Sequence, residues 1–114
     1  MQSDPEPTSI PAAIARLRKG FRADAASGLR VVYLLELSGE RGGALSIRVD
    51  DGRLELLEGR AYVPDVVYRL DAADFFGVLA GRENPDLLFM ADRLAVEGDL
   101  RLALSLRKLF QAGT

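Results

Sequence analysis

The sequence predicts an α+β domain, a five-stranded, mostly antiparallel sheet with helices packed on one face. Two patterns predict it. Five short runs are β-branched and apolar, or alternate apolar with polar residues, and are punctuated by Gly, Pro or Asp. Four further stretches carry apolar residues at helical spacing, most of them behind a residue that caps or opens a helix. Their order is α-β-β-β-β-α-α-β-α, and a chain of 114 residues has room for one core.

Residues 1–10, with their prolines and acids, read as a disordered tail, and residues 11–114 as the single domain. Pro11 suits the first turn of a helix whose Ile14, Leu17 and Phe21 fall at i, i+3 and i+7. Arg16, Arg18, Lys19 and Arg22 close it, as expected of a solvated cap at the negative end of the helix dipole. Val31 to Leu37 reads as a central strand, followed by a Gly-rich turn. Leu45, Ile47 and Val49 then alternate with polar residues, and Asp51-Gly52 is a two-residue hairpin signal that returns the chain with Leu54 and Leu56 inward. Pro64-Asp65 opens a fourth strand with Val66, Tyr68 and Leu70 on one face.

Asp71 caps a second helix with Asp74 at N3 and an inward stripe of Phe75, Val78 and Leu79, from which Phe76 falls off; Gly81 stops it. Asn84-Pro85-Asp86 opens a short helix containing Leu87-Leu-Phe-Met90. Leu94 to Glu97 is the last strand, Gly98 gives the bend, and Asp99 caps a final helix to about Phe110.

Composition excludes several functions. A net charge of −2 provides no field for a polyanion, and no basic stripe is interleaved with aromatics, so nucleic acid is not an expected partner. Cys and His are both absent, which removes disulfides, Ser-His-Asp and Cys-His catalysis and the usual zinc sites. The carboxylates Asp50, Asp51 and Glu58 are explained by hairpin ends, and Glu97 and Asp99 by the bend and the cap. Asp50-Asp51-Gly52 lacks the spaced oxygen ligands of a calcium loop. No enzyme activity, cofactor or metal is expected. The acidic, Pro-containing N-terminus is unlike a signal peptide and no stretch is long and apolar enough for a membrane span, so the reading is cytoplasmic.

One surface is more apolar than a core requires. On the last helix Arg101, Ser105 and Lys108 cluster within about 60°, while the apolar residues from Leu100 to Phe110 sweep an arc of about 220°. Docking on one sheet needs far less, and Phe75-Phe76 and Leu87-Leu-Phe-Met90 show the same excess, with Met90 adding adaptability. Arg107 lies inside the apolar arc, either as a snorkelling side chain or as an anchor for an acidic head group.

Further residues carry a family resemblance: Gly39-Glu40 and Gly42-Gly43, Asp51-Gly52, Glu58-Gly59, Pro64-Asp65-Val66, Asp74-Phe75, Gly81-Arg-Glu-Asn-Pro85, and Arg93-Leu-Ala-Val-Glu-Gly-Asp99 running into Leu102-Ala-Leu104. From Phe21 to Phe110 the chain resembles the sterol carrier protein type-two, or non-specific lipid-transfer, domain. The resemblance implies a tunnel for fatty acids, acyl-CoA, sterols or other lipids, enclosed by the sheet and the helices, and binding rather than catalysis. It maps the cavity lining onto Tyr33, Leu35, Tyr68, Phe75 and Leu79, and onto Phe89, Met90, Leu100, Leu104 and Phe110. Longer members continue beyond the position of Thr114, and if such a segment closes the family's cavity, the expectation here is a cavity open at one end.

The implied partner is a lipid or other hydrophobic small molecule, with a membrane or an enzyme as a transient acceptor. Asp86 to Asp99 is also similar to the accessory lipid-binding proteins of ubiquinone biosynthesis, where the ligand would be a polyprenyl intermediate. A reading of another class is an interaction module that dimerises through the apolar strip of the last helix and admits no ligand.

Overall fold

The computed structural model describes residues 5–110. Helix α1 (Ile10–Gly20) starts one residue before Pro11, with the Ser9 hydroxyl accepting from the Ala12 amide as the N-cap. Ile10, Ala13 and Leu17 are therefore its buried stripe, rather than Ile14, Leu17 and Phe21. Ile14 is only partly buried, and Phe21 has already left the helix to form an extended bridge with Phe110. Part of the expected tail is structured as well. Pro7 is buried, and Glu6 pairs with Arg82, whose guanidinium also donates to the Ala73 carbonyl.

A 3-10 turn (Ala23–Ala26) leads into the five strands β1 (Arg30–Ser38), β2 (Gly43–Asp50), β3 (Arg53–Glu58), β4 (Val66–Asp71) and β5 (Leu94–Gly98). Their order across the sheet is β3-β2-β1-β4-β5. The sheet is mixed: β1–β2, β2–β3 and β4–β5 pair antiparallel, while β4 returns parallel to β1. The turn between β2 and β3 has positive φ at both Asp51 and Gly52, the backbone that a tight hairpin with right-twisted strands requires.

The inward positions of β1 to β4 form one apolar face. Val31, Tyr33, Leu35 and Leu37 of β1 share it with Leu45, Ile47 and Val49 of β2, Leu56 of β3, and Val66, Tyr68 and Leu70 of β4. The helices pack there. Besides α1 these are α2 (Ala72–Leu79), α3 (Pro85–Met90) and α4 (Leu100–Leu109). Asp71 caps α2 by accepting from the Ala73 amide, but Asp74 does not complete a capping box and instead receives Arg93. Phe76 is 1% exposed although it lies off the predicted stripe, because α2 is packed against both the sheet and α1 and so is buried on more than one side.

The opposite sheet face is partly covered by the loop after β3. There the buried Ser46 hydroxyl donates to the Gly59 carbonyl and accepts from the Ala61 amide. Among the described residues no helix is long and apolar enough to cross a membrane.

Candidate ligand site

Helix α4 is capped by Asp99, whose carboxylate accepts from the amides of Arg101 and Leu102. Of its residues only Leu109 is buried; Leu102, Ala103 and Leu106 are partly buried against the core. Beneath it stand two tyrosines on neighbouring strands, Tyr33 of β1 and Tyr68 of β4, with ring centroids 6.2 Å apart. Each hydroxyl donates to a backbone carbonyl of α4, Tyr33 to Leu102 and Tyr68 to Ala103, both at 2.7 Å. Burial raises both hydroxyls above the ordinary tyrosine range. Tyr68 is pushed up to about 12, with the Arg107 cation pulling the other way, and Tyr33 is raised further by burial and then by Tyr68 and Asp65. The floor beneath α4 is thus apolar and carries two neutral O–H donors.

The residues expected to line a cavity fall into three groups. Tyr33, Leu35, Tyr68, Phe75 and Leu79 lie together in the packed core between sheet and helices. Phe89, Met90, Leu100 and Leu104 lie on the surface, 56%, 78%, 67% and 69% exposed. Phe110 is partly buried at the end of α4, its ring tilted against that of Phe21 at 5.6 Å. The surface group is organised. Arg107 of α4 pairs with Asp86 of α3, an exposed ion pair that links the two helices. Leu100 and Leu104 lie seven and three residues before Arg107, and Phe89 and Met90 three and four after Asp86, so all four share the helix faces that carry the ion pair. Leu87, 63% exposed, adds to the apolar surface of α3.

Arg107 is a half-exposed side chain in this structure. Its charge goes to Asp86, and both partners remain well exposed.

A cleft of about 1030 Å³ lies elsewhere, where β1 and β4 end, and none of the expected lining residues borders it. Its walls include Glu36, Arg60, Arg69, Asp74 and Arg93. Acids and bases are matched there: Arg60 and Arg69 both hold Glu36, Arg69 also reaches Glu97 at 2.8 Å, and Arg93 holds Asp74. Such a surface is a poor host for an apolar chain. These ion pairs escaped the sequence reading because their partners are far apart along the chain. Only the alternation of β4, which puts Arg69 on the face opposite Tyr68, was a signal for them. Among the described residues no group of acidic side chains is placed to hold a metal ion.

With this geometry in place, the model of the SCP-2 sterol transfer family matches residues 12–111. The chain belongs to that family. Hydroxysteroid dehydrogenase-like protein 2 of Xenopus laevis is 32% identical over 95 residues, covering 82% of this chain but 22% of that protein. The chain thus spans about a quarter of the length of the curated relatives it matches. The solution structure of the sterol carrier protein domain 2 of Helicoverpa armigera superposes with a TM-score of 0.74 at 18% identity, over 95% of this chain and 90% of that one. Palmitated SCP2L2 from Aedes aegypti gives a TM-score of 0.67 at 21% identity, over 89% and 93% of the two chains. At these identities the two structures establish the shared fold: a five-stranded sheet with helices on one face.

Proposed function

We infer that this domain is a non-enzymatic carrier of lipid or another hydrophobic small molecule, taken up between the sheet and the helices α3 and α4. The observation that carries the reading is the exposed apolar group Leu87, Phe89, Met90, Leu100 and Leu104 on α3 and α4, in a member of the sterol transfer family. Covering a large apolar side chain contributes about 1.5–3 kcal/mol, so even partial cover of this surface by a ligand or a receiving surface supplies useful affinity. Each buried CH₂ of a bound chain adds about 0.8 kcal/mol, enough for micromolar binding by part of a long tail after the costs of association. The Aedes relative was studied in a palmitated state, which favours an acyl chain as ligand. The relatives named for a dehydrogenase are several times longer than this chain, and their activity is not transferred to it.

The test is native mass spectrometry of gently purified protein, followed by solvent extraction and lipid identification. A stoichiometric fatty acid, sterol-like or prenyl-quinone species supports the carrier reading, and the prenyl-quinone outcome selects the ubiquinone version of it. A ligand-free mass at twice the chain weight, with nothing extracted, replaces the carrier with a dimerisation module.

A further inference from the structure

The two tyrosine hydroxyls are bound asymmetrically. Leu102 and Ala103 lie inside α4, so their carbonyls also face the amides four residues on in the helical ladder and keep a donor without the tyrosines. The tyrosines have no such reserve: each buried hydroxyl donates to its α4 carbonyl, and an unmet donor in an apolar floor is costly. Any other oxygen brought to the same place satisfies them, and α4 loses little when they leave.

The hold on α4 is also uneven. Its C-terminal end is fixed by the buried Leu109, by the Arg22 amide donating to the Leu109 carbonyl at 2.7 Å, and by the Phe21–Phe110 bridge. Its first half turns Leu100 and Leu104 to solvent, and the tyrosine bonds fall at Leu102 and Ala103. Lifting that half opens the space above the two hydroxyls, and the apolar contacts it separates are those of the partly buried Leu102 and Ala103.

We propose that Tyr33 and Tyr68 are the head-group end of the ligand site, their hydroxyls transferring from the α4 carbonyls to an oxygen acceptor at the end of an apolar chain. The ligand class is then a chain ending in a carboxylate or a carbonyl, rather than a plain hydrocarbon or a chain with a donor-only head. This rests on the carrier reading above and adds the polar end to it.

The experiment compares two twelve-carbon amphiphiles by titration calorimetry at neutral pH: dodecanoate, whose head only accepts, and dodecylammonium, whose head only donates. The expected result is tighter binding of dodecanoate to the unaltered protein. Tyr33→Phe with Tyr68→Phe then weakens dodecanoate about tenfold or more, as loss of hydrogen bonds to a charged acceptor predicts, and changes dodecylammonium less than twofold. Equal dodecanoate affinity in the unaltered and Phe proteins overturns the tyrosine assignment and leaves the carrier reading standing. Saturable binding of neither amphiphile to the unaltered protein overturns both. Should the Phe variants fail to fold, tyrosine Cζ-labelled NMR of the unaltered protein decides the matter. Shifts of the Tyr33 and Tyr68 signals on adding dodecanoate are expected, and unmoved signals in the bound state overturn the assignment.

Discussion

Arg93, at the entry to β5, donates to the buried carboxylate of Asp74 in the first turn of α2, tying the helix that follows β4 to the strand that pairs beside it. The Asp74 side chain is 11% exposed and that of Arg93 53%, so the acid depends on the base more than the reverse. Arg93→Ala is expected to lower stability by about 1–3 kcal/mol, the cost of leaving a buried acceptor unmet. Asp74→Asn, which keeps an oxygen for the guanidinium, should cost less. Urea denaturation of both variants checks the order.

The two buried tyrosines link the stability of the fold to alkaline pH. With folded pKa values raised above the ordinary value of 10, Tyr33 and Tyr68 hold their protons where the unfolded chain has lost them. Their contribution is therefore complete below pH 10 and is lost as pH climbs through the folded values, with Tyr68 titrating near 12. Stability should fall across that window, and the tyrosinate absorbance that is lost on replacing Tyr33 and Tyr68 by Phe should rise together with unfolding. Replacing both by Phe should flatten the fall.

Leu104 and Leu109 lie five residues apart on α4 with opposite exposures, 69% and 1%. Leu104→Asp should leave thermal stability within about 0.5 kcal/mol of the parent, as for an exposed site, while abolishing lipid uptake. Leu109→Ala should cost about 2–5 kcal/mol as a core truncation. A Leu104→Asp protein that keeps both its stability and its lipid removes α4 from the site. If instead it splits a dimer, the apolar strip is an interface.

Gly98 joins β5 to α4 at φ +111°, and a Cβ there would stand 2.2 Å from the Asp65 carbonyl oxygen. Because the obstacle is backbone, neither side can yield cheaply. Gly98→Ala should cost about 2–4 kcal/mol from left-handed strain and overpacking together. Chemical denaturation measures it.

The strands were legible because their alternation is strict: Leu45, Ile47 and Val49, and Val66, Tyr68 and Leu70, face the core as their spacing dictates. The caps Asp71, Asn84 and Asp99 were legible because their chemistry is local. The first helix starts one residue earlier than the proline signal indicates, and its buried stripe takes in Ile10 and Ala13 ahead of Leu17. Phe76 was misread because periodicity reports one face, whereas α2 is enclosed by the sheet and α1 together. At the site, the apolar excess of α3 and α4 was visible in composition. The acceptors of Tyr33 and Tyr68 were not, since Leu102 and Ala103 serve through main-chain oxygens that no side-chain pattern encodes.

The single parallel junction of the sheet has a kinetic consequence. The hairpin of β2 and β3 closes through the two residues Asp51 and Gly52, and β1 joins β2 across another short turn, so these contacts form with little loop entropy lost. Tyr33 and Tyr68 meet only when β4 docks against β1, after the whole meander has been spanned. Non-local pairing of this kind is slow to form, so the floor beneath α4 belongs to the late steps of folding. The meander of β1, β2 and β3 is therefore expected to form before the tyrosine floor exists to receive a ligand.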